Sequence, residues 1–184
     1  MEEFEQMMEM ISKLESKELA LAAAAFSSLQ LNMIGRLDDT SKFRLPELRQ
    51  WAKYPNIAFL SRFPWSKNVR EERDAPLQLV FAAGNPWYDC HSLMGLWLEY
   101  RFEFHPEENE FVFCVNGLED PIRIKDTIRR ILKTIFRDED FIIREVGLLG
   151  THSVRKFAVT FARGCGCSKV SASLLFYGSF VIIN

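Results

Sequence analysis

The chain has 184 residues, 48% of them hydrophobic, which is room for one ordinary domain with a real core and a short appendage. A formal net charge of −2 and a pI near 6.0 exclude nucleic-acid affinity carried by the charge of the whole chain, so any such affinity needs a local basic surface. The longest apolar stretches, Leu19 to Phe26 and Val170 to Ile183, are shorter than the roughly 20 residues of a membrane span, and no membrane partner is expected.

Residues 2 to about 34 read as helix. Phe4, Met7, Met8, Ile11 and Leu14 recur at three and four, Leu19 to Leu31 is rich in Ala and Leu, and Ser12 or Ser16 marks a break. The helical pattern then meets Gly35-Arg36-Leu37-Asp38-Asp39, where a glycine interrupts it and an arginine follows in an apolar neighbourhood. A charge so close to the core needs a partner, and Asp39, three residues on, is placed to hold Arg36 as an ion pair of purely structural value. From Arg44 to Tyr54 a short helix or loop starting around Pro46 is expected, with Tyr54-Pro55-Asn56 as its break.

Extended structure follows. Ile57 to Trp65 is aromatic and β-prone, Ser66-Lys67-Asn68 reads as a turn, and Ala75 to Val80 resumes an extended run, which together predict a hairpin with Lys67 near its tip. The charged stretch Val69 to Asp74 reads as a solvated connection. Asn85-Pro86 opens a further helix through Trp87, Leu93, Met94, Leu96, Trp97 and Tyr100, with Phe102 and Phe104 continuing its apolar content. His91 on that helix reads as a satisfied core histidine, because no second ligand lies at helical spacing. Phe111 to Val115 is a short strand, and Pro121 to about Arg137 is an amphipathic helix. Its inner face is Ile124, Ile128, Ile131, Leu132 and Ile135; its outer face is Arg123, Lys125, Arg129, Arg130 and Lys133. That outer face is the most basic surface in the chain, suited to solubility or to following a phosphate backbone.

The stretch from Gly150 to Gly164 predicts one more amphipathic helix, capped by Thr151 or Ser153, with Val154, Phe157, Ala158 and Phe161 on its buried face and Gly164 as its stop. His152 and Arg155 share one side at its N-terminus. Backbone N–H groups point outward there and carry partial positive charge, so an imidazole and a guanidinium beside them suit a phosphate oxygen; a capping histidine and a solvated arginine are the plainer reading. After Lys169 no charged side chain remains, and residues 170–184 form an apolar tail unlike the rest. No internal repeat or low-complexity linker appears. No signal peptide precedes the four cysteines, so reduced thiols in a nuclear or cytoplasmic, intracellular setting are expected. Cys165-Gly166-Cys167 with only His152 nearby falls short of a tetrahedral zinc set, and neither metal nor cofactor is expected.

Three pieces in order, Gly35-Arg36-Leu37-Asp38-Asp39, then Trp65-Ser66-Lys67-Asn68 ahead of Arg73-Asp74-Ala75-Pro76-Leu77, then Thr151-His152-Ser153-Val154-Arg155-Lys156, resemble the catalytic domain of tyrosine recombinases, the phage-integrase family. The flavour is that of integrase-like domains in eukaryotic mobile elements, similar to Cryptons. The resemblance implies a mixed α+β fold, mostly helical with a small antiparallel sheet. It divides the chain into an N-terminal helical extension over 1–19, an integrase-like domain over 20–169 and a divergent tail over 170–184. In that family a tyrosine hydroxyl attacks a DNA phosphodiester, giving a 3′-phosphotyrosine and a free 5′-hydroxyl without metal or nucleotide. By resemblance Arg36 and Arg155 bind the non-bridging oxygens, Lys67 protonates the leaving 5′-oxygen, His152 assists proton transfer and Asp39 orients its neighbours.

The implied partner is double-stranded DNA, on which homo-oligomers assemble, with Arg129, Arg130, Lys133 and Lys156 as further contacts. The family's second histidine or tryptophan and its tyrosine nucleophile have no counterpart here. Tyr177, the one tyrosine after Arg155, lies in the apolar tail without His or Trp ahead of it. The expectation is therefore a recombinase-type domain cut off before its nucleophile and incomplete as a catalyst. The alternative is an interaction module of the same fold that has lost both chemistry and DNA.

Overall fold

The computed structural model describes residues 2–63, 75, 77–105, 110–114, 121–141, 152–164 and 166. Six helices and one three-stranded antiparallel sheet make up the regular structure among them: α1 (Glu2–Ser12), α2 (Lys17–Asn32), α3 (Leu37–Ser41), β1 (Arg49–Gln50), β2 (Ala58–Ser61), β3 (Gln78–Phe81), α4 (Cys90–Phe104), α5 (Pro121–Ile135) and α6 (Ser153–Gly164). The mixed, mostly helical architecture matches the sequence reading.

The centre of the fold is α2, which packs against α1, α3, α4 and α6. Its composition explains that position. Ala22, Ala23 and Ala25 are fully buried and let neighbouring helices approach closely, while Phe26 and Leu29 supply the bulk. Ser16 caps it by accepting a hydrogen bond from the Leu19 N–H at 3.2 Å. At the other end Ile34 donates to the Leu31 carbonyl at 3.3 Å and Gly35 to the Gln30 carbonyl at 3.0 Å, the paired bonds of a Schellman motif. The residue in the left-handed position is Ile34, with φ of +50°. A β-branched side chain there costs on the order of 1–2 kcal/mol, offset by burying Ile34 in the core.

Phe4, Met7, Met8 and Ile11 of α1 belong to the same core as α2, and the break between the two helices falls between Ser12 and Lys17. Between Arg44 and Tyr54 the chain makes a 3-10 turn at Leu45–Glu47 and then β1, which pairs Arg49 with Leu60 and Gln50 with Phe59. The expected hairpin is present as β2 and β3, in register from Ala58 with Phe81 to Ser61 with Gln78. Within its connection, residues 64–74 and 76, Lys67 included, lie outside the described residues.

The fourth helix begins later than expected. Residues 85–88 form a turn, with the Trp87 N–H donating to Asn85 Oδ1 at 3.0 Å, and Asp89 caps α4 by accepting from the Ser92 N–H at 3.2 Å. Met94 and Trp97 face inward, and Trp97 Nε1 donates to the Val112 carbonyl at 2.8 Å. Phe102 and Phe104, expected to extend this core, are exposed. His91 is half-buried with its ring 6.2 Å from that of Phe59. The strand expected at Phe111 to Val115 reduces to a single bridge between Arg44 and Phe111, and Val115 lies outside the described residues. Among the described residues no helix is long and apolar enough to cross a membrane.

Candidate functional site

Arg36 stands between the end of α2 and the first turn of α3, and its backbone is held from several directions. Its N–H donates to Asp39 Oδ2 at 3.3 Å, and its carbonyl accepts both the Thr40 N–H and the Thr40 hydroxyl, each at 3.0 Å. Gly35 is required by close approach: a Cβ there would lie 2.7 Å from the Phe63 ring and 2.8 Å from Thr40 Oγ1. The glycine that reads in the sequence as a helix interruption is therefore the place where the Phe63 ring, just beyond β2, lies against the chain next to Arg36.

Arg155 arrives from the other end of the chain. It lies in the first turn of α6, whose Val154 and Ala158 are buried and which packs against α2. The Lys156 N–H donates to the His152 carbonyl at 3.0 Å, so His152 occupies the helix-start position that Thr151 or Ser153 was expected to take; Ser153 is the first helical residue and is buried. Thr151 lies outside the described residues. Phe161, expected on the buried face, is half exposed, because only the first two turns of α6 have their apolar side covered.

The two arginines meet around one carboxylate. Burial holds Asp39 above the ordinary carboxylate value, opposed by the Arg36 N–H and by the charges of Arg36 and Arg155, while Asp38 adds to the rise. Burial likewise lowers Arg155, the charge of Arg36 lowers it further, and Asp39 works against both. Arg36, Asp39 and Arg155 thus share one electrostatic neighbourhood although the arginines are far apart in sequence. The two guanidiniums disfavour each other's charge in this partly desolvated neighbourhood, and the Asp39 carboxyl offsets that repulsion. Such a place favours an anion with oxygens for both forks.

Of the remaining expected site residues, His152 is exposed at the start of α6 and Lys156 is exposed on its first turn. Lys67, Cys165, Cys167 and Tyr177 lie outside the described residues. On α5, Arg129, Arg130 and Lys133 line a surface groove with Asp126, Thr134 and Arg137, and Arg129 Nη1 lies 2.7 Å from Asp126 Oδ1. One residue assigned to the solvated face behaves differently. Lys125 is half-buried and reaches Asp38 at 2.8 Å, tying α5 to α3. Lys42 binds the other oxygen of Asp38 at 3.0 Å, and the two lysines hold that carboxyl below the ordinary value. Lys125 and Arg129 are one helical turn apart, so the basic surface of α5 begins beside the segment that carries Arg36. Lys125 and Phe63 were not legible as site neighbours, since each acts across a tertiary contact.

No protein-family model and no curated protein matches the chain. Among solved structures it is similar to the XerH site-specific recombinase bound to palindromic difH substrate in a post-cleavage complex, with a TM-score of 0.62 and 17% identity over 97% of this chain and 45% of that chain. The same recombinase bound to difH substrate in a pre-cleavage complex superposes with a TM-score of 0.61 and 17% identity, over 97% of this chain and 46% of that one. The fold is of tyrosine-recombinase type. The chain spans less than half the length of either recombinase chain.

Proposed function

We propose that this chain is a DNA-binding domain of tyrosine-recombinase type that holds a backbone phosphate between Arg36 and Arg155 and acts in DNA recombination and integration. The observation that carries this reading is the convergence of the two arginines around Asp39, from opposite ends of the sequence, in a fold shared with recombinases that are bound to their DNA substrates. Two charge-assisted forks on one phosphate match the charge that develops on non-bridging oxygens during phosphoryl transfer. In the chemistry implied by the resemblance, a tyrosine oxygen bonds to phosphorus, the bond to the 5′-oxygen breaks, and a proton reaches that oxygen. Lys67 donates that proton and His152 assists at the nucleophile. Asp39 orients the arginines. The Arg129, Arg130 and Lys133 face of α5, with Lys156, contacts flanking phosphates, and copies of the chain assemble on the duplex. The mobile-element flavour of the motif set suggests an integrase-like origin of Crypton type. No tyrosine is assigned as nucleophile, so the domain is incomplete as a catalyst by itself.

A mixed-sequence DNA duplex titrated across a salt series, with the intact chain and with the Arg36→Ala plus Arg155→Ala variant, tests the reading. Loss of the phosphate held by the two arginines should make the slope of log affinity against log salt shallower by about one, with weaker binding at every salt. Absence of binding at low salt, or equal slopes, refutes it. The net charge of −2 supports a second reading, an interaction module of the same fold without DNA binding, which the negative outcome would favour.

A further inference from the structure

Arg36 has an unusual support. Phe63 follows β2 by two residues and is buried, with its ring set edge-on to Phe43 at 5.6 Å between centroids. Phe43 lies just beyond α3, and on its other side the Phe63 ring covers Gly35 so closely that a Cβ would sit 2.7 and 3.0 Å from two of its carbons. The same Cβ would meet the Thr40 hydroxyl that holds the Arg36 carbonyl. The neighbour of Phe63 is anchored as well: Arg62 Nε lies 2.7 Å from Glu47 Oε2, with both side chains largely removed from solvent. The end of β2 is thereby fixed to the segment before and after α3 by a ring on one side and an ion pair on the other.

We infer that Phe63 is a positioning residue for the phosphate site, acting through Gly35 and Thr40 to set where the Arg36 guanidinium stands. Arg36 leaves the backbone one residue after Gly35, so a shift of Gly35 away from the ring displaces the base of the side chain and swings its charged end by a larger amount. The absent Cβ is the condition for contact. A ring resting on glycine transmits the position of β2 to Arg36 without any charged group, a link that no charge motif reveals. The inference rests on the phosphate-site reading above.

The test is duplex binding by the full chain across a salt series, comparing the intact chain with Gly35→Ala, Arg36→Ala, Gly35→Ala plus Arg36→Ala, and Gly35→Ala plus Phe63→Leu. Gly35→Ala should bind about tenfold more weakly and show a salt slope as shallow as that of Arg36→Ala, because the same one of the two charges leaves the phosphate. Adding Gly35→Ala to Arg36→Ala should change the slope no further. Replacing the ring by the smaller, flexible leucine removes the two ring contacts, though not the one with Thr40, and should restore slope and affinity in part. A general loss of stability lowers the bound fraction and leaves the slope alone, so Gly35→Ala with an unchanged slope overturns the inference. So does a shallow slope that Phe63→Leu leaves unchanged. If Arg36→Ala itself leaves the slope of the intact chain unchanged, the phosphate-site reading fails first and this inference falls with it.

Discussion

Asp39 separates two accounts of how the arginine site is held, because its charge and its hydrogen bond pull stability in opposite directions. Burial keeps its carboxyl above the ordinary value of 3.8 despite two neighbouring arginines, so the folded state favours the protonated form. The contribution is fully present below the ordinary value and is lost as pH rises through the raised folded-state value. At neutral pH the carboxylate charge is therefore a net cost to folding, whereas its acceptor oxygen is a gain, since it receives the Arg36 N–H at the start of α3. Asp39→Asn removes the charge and keeps an acceptor. Asp39→Ala removes both and should cost about 1 kcal/mol as a lost cap. With a urea slope of about 2.5 kcal/mol per M for a chain of this size, the alanine midpoint falls by about 0.4 M while the asparagine midpoint stays level or rises. Asp39→Asn also removes the carboxyl charge that acts on both arginines, which at effective dielectrics of ~20–80 is worth about 1 kcal/mol toward a phosphate, or about fivefold tighter duplex binding at low salt. Urea unfolding by tryptophan fluorescence, with duplex titration alongside, checks both. If asparagine destabilises as much as alanine, the arginines hold the carboxylate by charge and the reasoning from burial is wrong.

Three other outcomes are expected. Asp38 is held below 3.8 by Lys125 and Lys42, so its contribution is present above that value and lost as pH falls through the lowered one; because the pair is half exposed the loss is well under 1 kcal/mol, and Asp38→Asn should flatten that part of an acid unfolding curve. Glu47→Gln removes the charge that Arg62 Nε meets at 2.7 Å in a largely buried place and should lower stability by about 2 kcal/mol in urea unfolding, whereas Glu9→Gln, which breaks the exposed pair with Lys13, should change it by less than 0.5 kcal/mol. Burial pushes the Cys90 thiol far above its ordinary value, so a thiol reagent should modify it in urea and leave it unmodified in buffer, read by mass spectrometry of the peptide that contains it.

The parts of the fold legible in the sequence are those where one local signal dominates. Buried apolar residues on one face of α1 and α5, the serine cap of α2 and the aromatic strand β2 each arise from neighbours close in sequence, and each formed where its spacing placed it. The misses come from competition. Asn85-Pro86 carries a helix-start pattern, yet Asp89 with Ser92 caps better, so the helix starts at Cys90. Arg49 and Gln50 have little strand preference and become β1 because the exposed edge of β2 offers unpaired backbone groups. The spacing of Phe161 marks it as apolar-face, but spacing cannot tell where a neighbouring helix ends.

The site itself shows the same division at smaller scale. Arg36 with Asp39 and His152 with Arg155 are each local patterns, and each half was visible as a charge set against an apolar run. What no local pattern contains is the distance between the halves, and α2 supplies it. Its C-terminal motif launches Arg36, and its side supports α6, which carries Arg155, so one rigid helix spaces two guanidiniums drawn from distant parts of the chain. A site built this way does not need a basic protein around it. Repulsion between the arginines and the cost of removing them from water are offset by core packing at Val154, Ala158 and Leu29 rather than by surplus positive charge elsewhere. An acidic chain can therefore carry a locally positive place, whose field is set by the nearby side chains more than by the net charge of 184 residues.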